Sequence, residues 1–336
     1  MTNIAKTEPN NRPNLQKGDN GKWVVFLQDI LNGCKSNPLD LDGDFGNNTE
    51  NEVKRFQQKV GLTTDGKVGV NTWTALDNHE KLFGWQCEWP SSLSLTGIGG
   101  VDTLENVTAN MIPKATTFMG TETPPRFWGR YFQGNSNDGE YLRAKENKPL
   151  HDAKIRLLPI SRQTRKVNSS QQQGKEIGSS HAQDLISTFG EDYLASQSDS
   201  FYFFLDVEGI GGQPSLSKEF YLGWSEAVLN ASSKVKLLPC VYLSAKQDPT
   251  SKQNLSAAMK AGAQCHGLWV ANYGNQQTKL RPWNRDQIAP ANPVPCKVLI
   301  HQYAGDIASG LFDFNQINPF LDNPELVIQR LILPPA

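Results

Sequence analysis

The stretch Phe201-Tyr202-Phe203-Phe204-Leu205-Asp206-Val207-Glu208-Gly209 sets five apolar residues directly before two carboxylates spaced two positions apart. On an extended strand, residues i and i+2 share a face and lie about 6.7 Å apart along the chain. Both side chains then leave the end of the strand in the same direction. Close carboxylates raise each other's proton affinity, so that one stays protonated near neutral pH and serves as an acid. A glycosidic oxygen is a leaving group that needs such an acid. Asp102, closing Gly100-Val101-Asp102, and Asp313, in Phe312-Asp313-Phe314-Asn315, are further acids at the ends or edges of apolar runs. The bland alternative for all four is a polar strand terminus that binds loop backbone or a cation.

Arg130, Tyr131, Tyr242, Trp269, Tyr273, Gln302 and Tyr303 also fall near the ends of apolar runs. Their rings offer flat apolar faces for sugars, and their polar groups hydrogen-bond hydroxyls. Trp269 and Tyr242 serve equally well as core residues on this evidence.

The elements that position these groups alternate between short apolar runs and helical patterns, the signature of an α/β fold with a parallel sheet. Candidate strands are 98–102, 127–132, 155–160, 201–206, 235–243, 267–271, 298–303 and a short one near 312–314. Ala182, Leu185, Ile186 and Phe189 make one helical stripe, and Phe220, Trp224 and Val228 make another. Eight strands in this length fit a (β/α)8-type TIM barrel, with functional residues on the rim where strands end. The last three strands leave little room for intervening helices, so the outer ring is expected to be incomplete. Closure makes the first and eighth strands neighbours, which brings Asp102 and Asp313 toward the central pair.

The first part of the chain is different. Asp42-Gly43-Asp44-Phe45-Gly46-Asn47-Asn48-Thr49 returns 23 residues later as Asp65-Gly66-Lys67-Val68-Gly69-Val70-Asn71-Thr72. Each copy reads as a turn entering a helix, and Thr49 with Glu52 is expected to form a capping box. Trp23, Leu27, Ile30 and Leu31 share one helical face, Val53, Phe56 and Val60 a second, and Trp73 and Leu76 begin a third. These make a small three-helix all-α unit. The expected organisation is a tail over 1–14, the helical domain over 15–77, a linker over 78–97, the barrel over 98–325 and a C-terminal tail over 326–336. The linker carries Trp85 and Trp89, expected to pack on one of the domains.

The residues Gly18, Gly21, Val24, Leu27-Gln28, the first repeat, Val53, Phe56-Gln57, Gly61-Leu62, the second repeat and Thr72-Trp73 together resemble the PG_binding_1 family of peptidoglycan-binding modules. The barrel region resembles the family 25 glycoside hydrolases, the Chalaropsis-type lysozymes, and a related glycoside-hydrolase-like domain of unknown function. Its motifs are Gly100-Val101-Asp102, Asp206-Val207-Glu208, Val241-Tyr242-Leu243-Ser244, Leu268-Trp269-Val270-Ala271-Asn272-Tyr273, His301-Gln302-Tyr303 and Asp313-Phe314-Asn315-Gln316-Ile317. Two places depart from the lysozyme pattern. The second and third strands look more like the uncharacterised domain, and His301 stands where the lysozymes usually have Trp.

The resemblance implies a cell-wall lytic muramidase that cuts the β-1,4 bond between N-acetylmuramic acid and N-acetylglucosamine. Glu208 would be its general acid, and Asp206 would orient and charge-stabilise the 2-acetamido group of the substrate. Asp102 and Asp313 would tune the pair and bind hydroxyls. Peptidoglycan glycan strands are the expected partner, no cofactor or metal is called for, and the chain is expected to act as a monomer. The same residues also fit a wall-binding protein whose barrel keeps the cleft without turnover.

Other classes are disfavoured. With 33 basic and 34 acidic side chains in 336 residues, the chain lacks the basic surface that nucleic acid demands. No apolar run approaches the roughly 18 residues of a membrane helix, so no membrane partner is expected. The N-terminus has no apolar signal segment. Action at the wall is therefore expected to follow lysis, as for a phage endolysin, or a signal-less export route. His79, His151, His181, His266 and His301 form neither HxH nor HExxH, which argues against a zinc peptidase or amidase. Cys34, Cys87, Cys240, Cys265 and Cys296 are scattered and read as buried thiols rather than a disulfide framework.

Overall fold

The computed structural model describes residues 8–32, 39, 42–83, 95–133, 139–162, 165–209, 211–273, 276–284, 288, 294, 296–319, 321 and 323–336. Most of the expected linker, with Trp85 and Trp89, lies outside the described residues, as do Cys34 and Cys87.

The N-terminal unit comprises α1 (Lys22–Asn32), α2 (Asn47–Lys59) and α3 (Val70–Phe83) around Val24, Leu27, Phe45, Val53, Val68, Trp73 and Leu76. Each repeat is organised by a buried glutamine from the preceding helix. The Gln28 side-chain amide donates to Asp42 Oδ1 (2.8 Å), the Asp44 carbonyl (3.1 Å) and Thr49 Oγ1 (3.2 Å), while its oxygen accepts the Gly43 N–H (3.0 Å). Gln57 repeats the pattern on Asp65, the Lys67 carbonyl, Thr72 and the Gly66 N–H at 2.9, 2.8, 3.2 and 2.9 Å.

The repeat thus exists to feed one glutamine per turn, and the expected capping box is not formed. Gly46 caps α2 without a side-chain bond, and the Thr49 hydroxyl, inside the first turn, donates to the Asp44 carbonyl (3.2 Å). Part of the expected N-terminal tail is also anchored. Arg12 forks onto Asp77 at 2.6 and 3.0 Å with its guanidinium 5.2 Å from the ring centres of Phe26 and Trp73.

The second unit is a closed eight-stranded barrel. Its strands are β1 (Gly99–Asp102), β2 (Phe127–Phe132), β3 (Arg156–Ser161), β4 (Ser200–Asp206), β5 (Lys236–Ser244), β6 (Leu268–Ala271), β7 (Val298–Asp306) and β8 (Phe312–Ile317). Helices α4 (Met111–Met119), α5 (Arg143–Asp152), α6 (Gln171–Phe189), α7 (Glu191–Ala195), α8 (Lys218–Leu229) and α9 (Pro249–Lys260) follow the early strands. Strands β1 to β7 are parallel, whereas β8 is antiparallel to both β7 and β1.

A fully parallel sheet was the sequence expectation, and the reason for the difference is the connection. Only the short helical turn Ile307–Gly310 joins β7 to β8, and a parallel return needs a crossover of a dozen or more residues. The reversal has a functional consequence. The beginning of β8, not its end, lies on the rim where the other strands finish, and Asp313 pairs with Asp102.

Alternation along each strand sorts residues into two layers. Phe127, Leu158, Ile160, Tyr202, Phe204, Leu238, Cys240, Trp269 and Ile317 fill the barrel, while Trp128, Leu157, Phe201, Phe203, Val241 and Phe314 pack toward the helices. The segment expected as a C-terminal tail instead closes the lower end of the barrel. Val327, Ile328 and Leu331 join the interior cluster, and Leu157 and Ile332 exchange backbone hydrogen bonds at 2.6 and 3.1 Å. Its apolar residues are short of partners in solution and find them under the open end of the sheet.

Candidate active site

Above the packed interior, a cavity of about 240 Å³ opens on the rim where β1 to β7 end and β8 begins. Asp102, Asp206, Glu208 and Asp313 all line it, together with Tyr131, Tyr242, Trp269, Tyr273 and Gln302. Strand geometry explains the grouping. Asp206 follows Tyr202 and Phe204 on the inward face of β4, and Glu208 continues that alternation past the strand end. Asp102 needs a neighbour with no side chain, since a Cβ on Gly129 of β2 would lie 2.6 Å from the Cβ of Asp102. Just after Glu208 the chain turns sharply at Gly209, whose φ of +57° and crowding against Asp248 exclude a side chain.

A polar network holds the acids. Asp102 Oδ2 accepts from Asn315 Nδ2 (2.7 Å) and Gln302 Nε2 (2.9 Å), and Gln302 Nε2 also lies 3.5 Å from Asp313 Oδ2. The hydroxyls of Tyr242 (2.7 Å) and Tyr273 (3.1 Å) both donate to Gln302 Oε1. The Trp269 indole N–H donates to Asn315 Oδ1 (2.8 Å), which orients that amide toward Asp102. Asp313 Oδ1 accepts the Asp306 N–H (2.7 Å). That N–H is aimed by a rim turn in which Asp306, Ala308 and Ser309 all take left-handed backbone angles (φ 56°, 53° and 64°). Such angles cost of order 1–3 kcal/mol per non-glycine residue and concentrate at functional sites.

Burial sets the protonation pattern. Asp206 is 5% exposed, and its carboxyl is pushed up to about 7, first by burial and then by the charge of Glu208, against the pull of Arg162. Asp102 is driven well above the usual carboxylate range, by burial and then by Asp313, with the Asn315 and Gln302 hydrogen bonds opposing. Asp313 rises to about 6, chiefly through burial. Glu208 is exposed on the rim. Asp206 and Glu208 therefore form a pair with one buried, proton-holding member and one facing solvent.

The raised Asp206 has a measurable consequence for stability. As pH climbs from about 4 to about 7, the unfolded chain gives up this proton while the native state retains it. Native stability therefore falls across that window and not below it. Asp206→Asn removes the titration. The difference in urea midpoint between Asp206→Asn and the parent should grow in favour of the variant from pH 4.5 to pH 7.5. A constant difference would show that burial of Asp206 does not hold the proton.

Two expected contact residues are not in the cleft. Arg130 and Tyr303 each neighbour an inward residue, Tyr131 and Gln302, and so point the other way. The Arg130 side chain is fully buried against Glu146, and the Tyr303 hydroxyl donates to the Thr278 carbonyl (3.0 Å). Trp269 is 2% exposed with its ring centre 4.7 Å from that of Tyr242, which makes it the floor of the cavity. Gln302 lines the cavity but spends its amide on Asp102 and the two tyrosines.

Sequence reasoning passed over Asn315, Arg162 and Asp306. Asn315 sits two residues past Asp313 on the same face of β8, a spacing that was readable once that strand was placed. Arg162 lies just beyond β3 and also lines the cavity.

Among the described residues, no group of three or more His, Cys, Asp or Glu is arranged to hold a metal ion, and no helix is long and apolar enough to cross a membrane. Cys240, Cys265 and Cys296 are free thiols. Cys265 and Cys296 lie close together ahead of β6 and β7, the Cys296 thiol donating to the Cys265 carbonyl (3.2 Å), and neither lines the cleft.

Residues 20–76 match the PG_binding_1 family, described as "Putative peptidoglycan binding domain". This agrees with the resemblance read from the two repeats. The chain is 41% identical over 66 residues to the "Uncharacterized protein in bpoA1 3'region" of Kitasatospora aureofaciens, a match covering 19% of this chain and 56% of that protein. It thus spans about half the length of this curated relative. An uncharacterised B. stearothermophilus protein of solved structure is 20% identical, with a TM-score of 0.51 over 70% of this chain and 100% of that one. At that identity the likeness shows a shared fold. The bacterial lysozyme from Streptomyces coelicolor aligns over 70% of this chain and 97% of its own at 16% identity, with a TM-score of 0.39.

Proposed function

We propose that this protein is a cell-wall hydrolase whose barrel cuts the β-1,4 bond between N-acetylmuramic acid and N-acetylglucosamine in peptidoglycan. The observation that carries the reading is the convergence of Asp206, Glu208, Asp102 and Asp313 on one rim cavity of sugar size. The match of residues 20–76 to a peptidoglycan-binding family supports the choice of polymer. A wall-binding unit joined to the barrel raises the local concentration of an insoluble substrate at the cleft.

In this mechanism the pair uses the proton that burial holds on Asp206, whose carboxyl is pushed up to about 7. With the sugar chain seated, that proton resides on Glu208 and is donated to the glycosidic oxygen as the bond to the anomeric carbon breaks. The carbonyl oxygen of the neighbouring 2-acetamido group bonds to that carbon in place of the leaving sugar. Asp206, now charged, stabilises the positive charge that develops on the acetamido group. Water then attacks the anomeric carbon as its bond to the acetamido oxygen breaks, gives its proton to Glu208, and leaves a new reducing end with the 2-acetamido group restored. Asp206 and Glu208 leave one end of β4 two positions apart on the same face, which lets one act at the leaving oxygen and the other at the acetamido group.

The test is digestion of purified peptidoglycan followed by mass spectrometry of the products. New reducing N-acetylmuramic acid ends support the assignment. New reducing N-acetylglucosamine ends would move the cut to the other glycosidic bond. Intact glycan with retained binding would leave a wall-binding protein, and released stem peptides would identify a peptidase or amidase.

A further inference from the structure

Among the described residues that line the cleft, five are acids and one is a cation, Arg162. Its guanidinium carbon lies 5.3 Å from the centre of the Tyr131 ring, which itself faces the cavity. A guanidinium held over an aromatic ring keeps its planar N–H fork, the shape matched to carboxylates. That is the geometry for a planar, bidentate carboxylate. The charge reaches the acid pair as well, since it draws the Asp206 proton affinity down against burial.

A cleft lined by carboxylates alone would repel a substrate that carries its own. The polymer proposed above does carry them: the lactyl ether of each muramic residue ends in a carboxyl group. That group is free where the stem peptide has been removed. Where a stem is present, it is amide-linked to a peptide bearing carboxylates of its own.

We infer that Arg162, seated on Tyr131, is the subsite for a carboxylate borne by the muramic residue, and so fixes which sugar occupies the side of the cleft next to β3. This rests on the hydrolase reading for its substrate. On this view the single cation is a specificity device. It rewards the acidic sugar over neutral N-acetylglucosamine, and so sets which of the two alternating glycosidic bonds meets Glu208.

The experiment compares the full-length protein with Arg162→Gln and Arg162→Lys on three glycan preparations: strands with stem peptides, strands stripped of peptides, and stripped strands whose lactyl carboxylates have been converted to neutral amides. Arg162→Gln should raise KM about 10- to 100-fold, the range of a charge-assisted pair, wherever the recognised carboxylate is present. The loss should fall on KM more heavily than on kcat, and Arg162→Lys should recover part of it, as a charge without the planar fork. No change in KM is expected on the neutral amides. An effect confined to stripped strands identifies the lactyl carboxylate, and one confined to stem-bearing strands identifies the peptide.

An equal rise in KM on all three, or an unchanged KM with a displaced pH profile, overturns the proposal and makes Arg162 a tuner of the acid pair. Binding is also read without turnover, from the shift of the Trp269 indole N–H in the cavity floor. If no preparation is cut, the hydrolase reading fails. The carboxylate subsite then stands or falls on whether that shift needs Arg162 and the charged strands.

Discussion

Glu208→Gln should reduce kcat on peptidoglycan by about 10²–10⁴-fold, the range for loss of a positioned general acid. The substitution keeps the shape of the side chain and removes its acid function together with its charge, which also relaxes the upward push on Asp206. Glu208 is exposed on the rim, so the packing beneath it has no need of the charge. Binding to sacculi through residues 20–76 should persist, because the repeat turns and their glutamines belong to a separate helical core. Measured kcat and KM on soluble strands, beside a sacculus pull-down, separate the two effects. Full turnover in Glu208→Gln would remove this residue from the mechanism. Parallel loss of turnover and binding would point to misfolding instead.

The rim acids were legible because each obeys a local rule. Asp206 and Glu208 end an apolar strand with matched parity, and Asp102 ends another. Asp313 was legible for a less direct reason. It lies at the start of its strand, and reaches the rim because β8 runs backwards. The length of the β7–β8 connection carried that information, since the five residues 307–311 cannot make a parallel crossover. Asp306 reaches the cavity by the ordinary rule, as the last residue of β7.

Parity also explains the two misplaced contacts. Tyr131 and Arg130 are sequence neighbours, as are Gln302 and Tyr303, and a strand admits only one of each pair to a given face. Choosing the member that continues the inward set of its strand selects Tyr131 and Gln302. What stayed hidden depends on contacts between distant segments. The Arg162 guanidinium meets Tyr131 from a different strand, and Val327, Ile328 and Leu331 find their place only once the lower end of a barrel exists. Likewise Thr49 and Glu52 satisfy the spacing of a capping box. A glutamine 21 residues earlier, Gln28, competes for the threonine hydroxyl and wins.

Arg130→Met should destabilise the protein by about 3–5 kcal/mol, the range for breaking one side of a buried ion pair. Both side chains of the Arg130–Glu146 pair are 0% exposed. Arg130 Nε and Nη2 reach the two carboxylate oxygens of Glu146 at 2.6 and 3.1 Å. Its Nη1 donates to the carbonyls of Thr103 (2.6 Å) and Leu104 (3.0 Å), and its Nη2 also donates to that of Glu140 (3.1 Å). Glu146 in turn accepts the backbone N–H groups of Val107 (3.0 Å) and Leu142 (2.8 Å).

Removing the cation leaves a buried carboxylate with those two N–H groups and the Asn106 amide as its remaining partners. Removing both charges, in Arg130→Met with Glu146→Leu, should restore part of the loss, because an apolar pair of similar volume carries no unpaired charge. Recovery should stop short of the parent, since the Thr103, Leu104 and Glu140 carbonyls lose their donor. Thr103 and Leu104 follow Asp102 and line the cavity, so the double variant should stay impaired in KM even where it is folded. Urea unfolding of the parent, both single variants and the double variant supplies the cycle. A single-variant loss below about 1 kcal/mol would mean that the pair is dispensable, and that packing alone shapes this wall of the cleft.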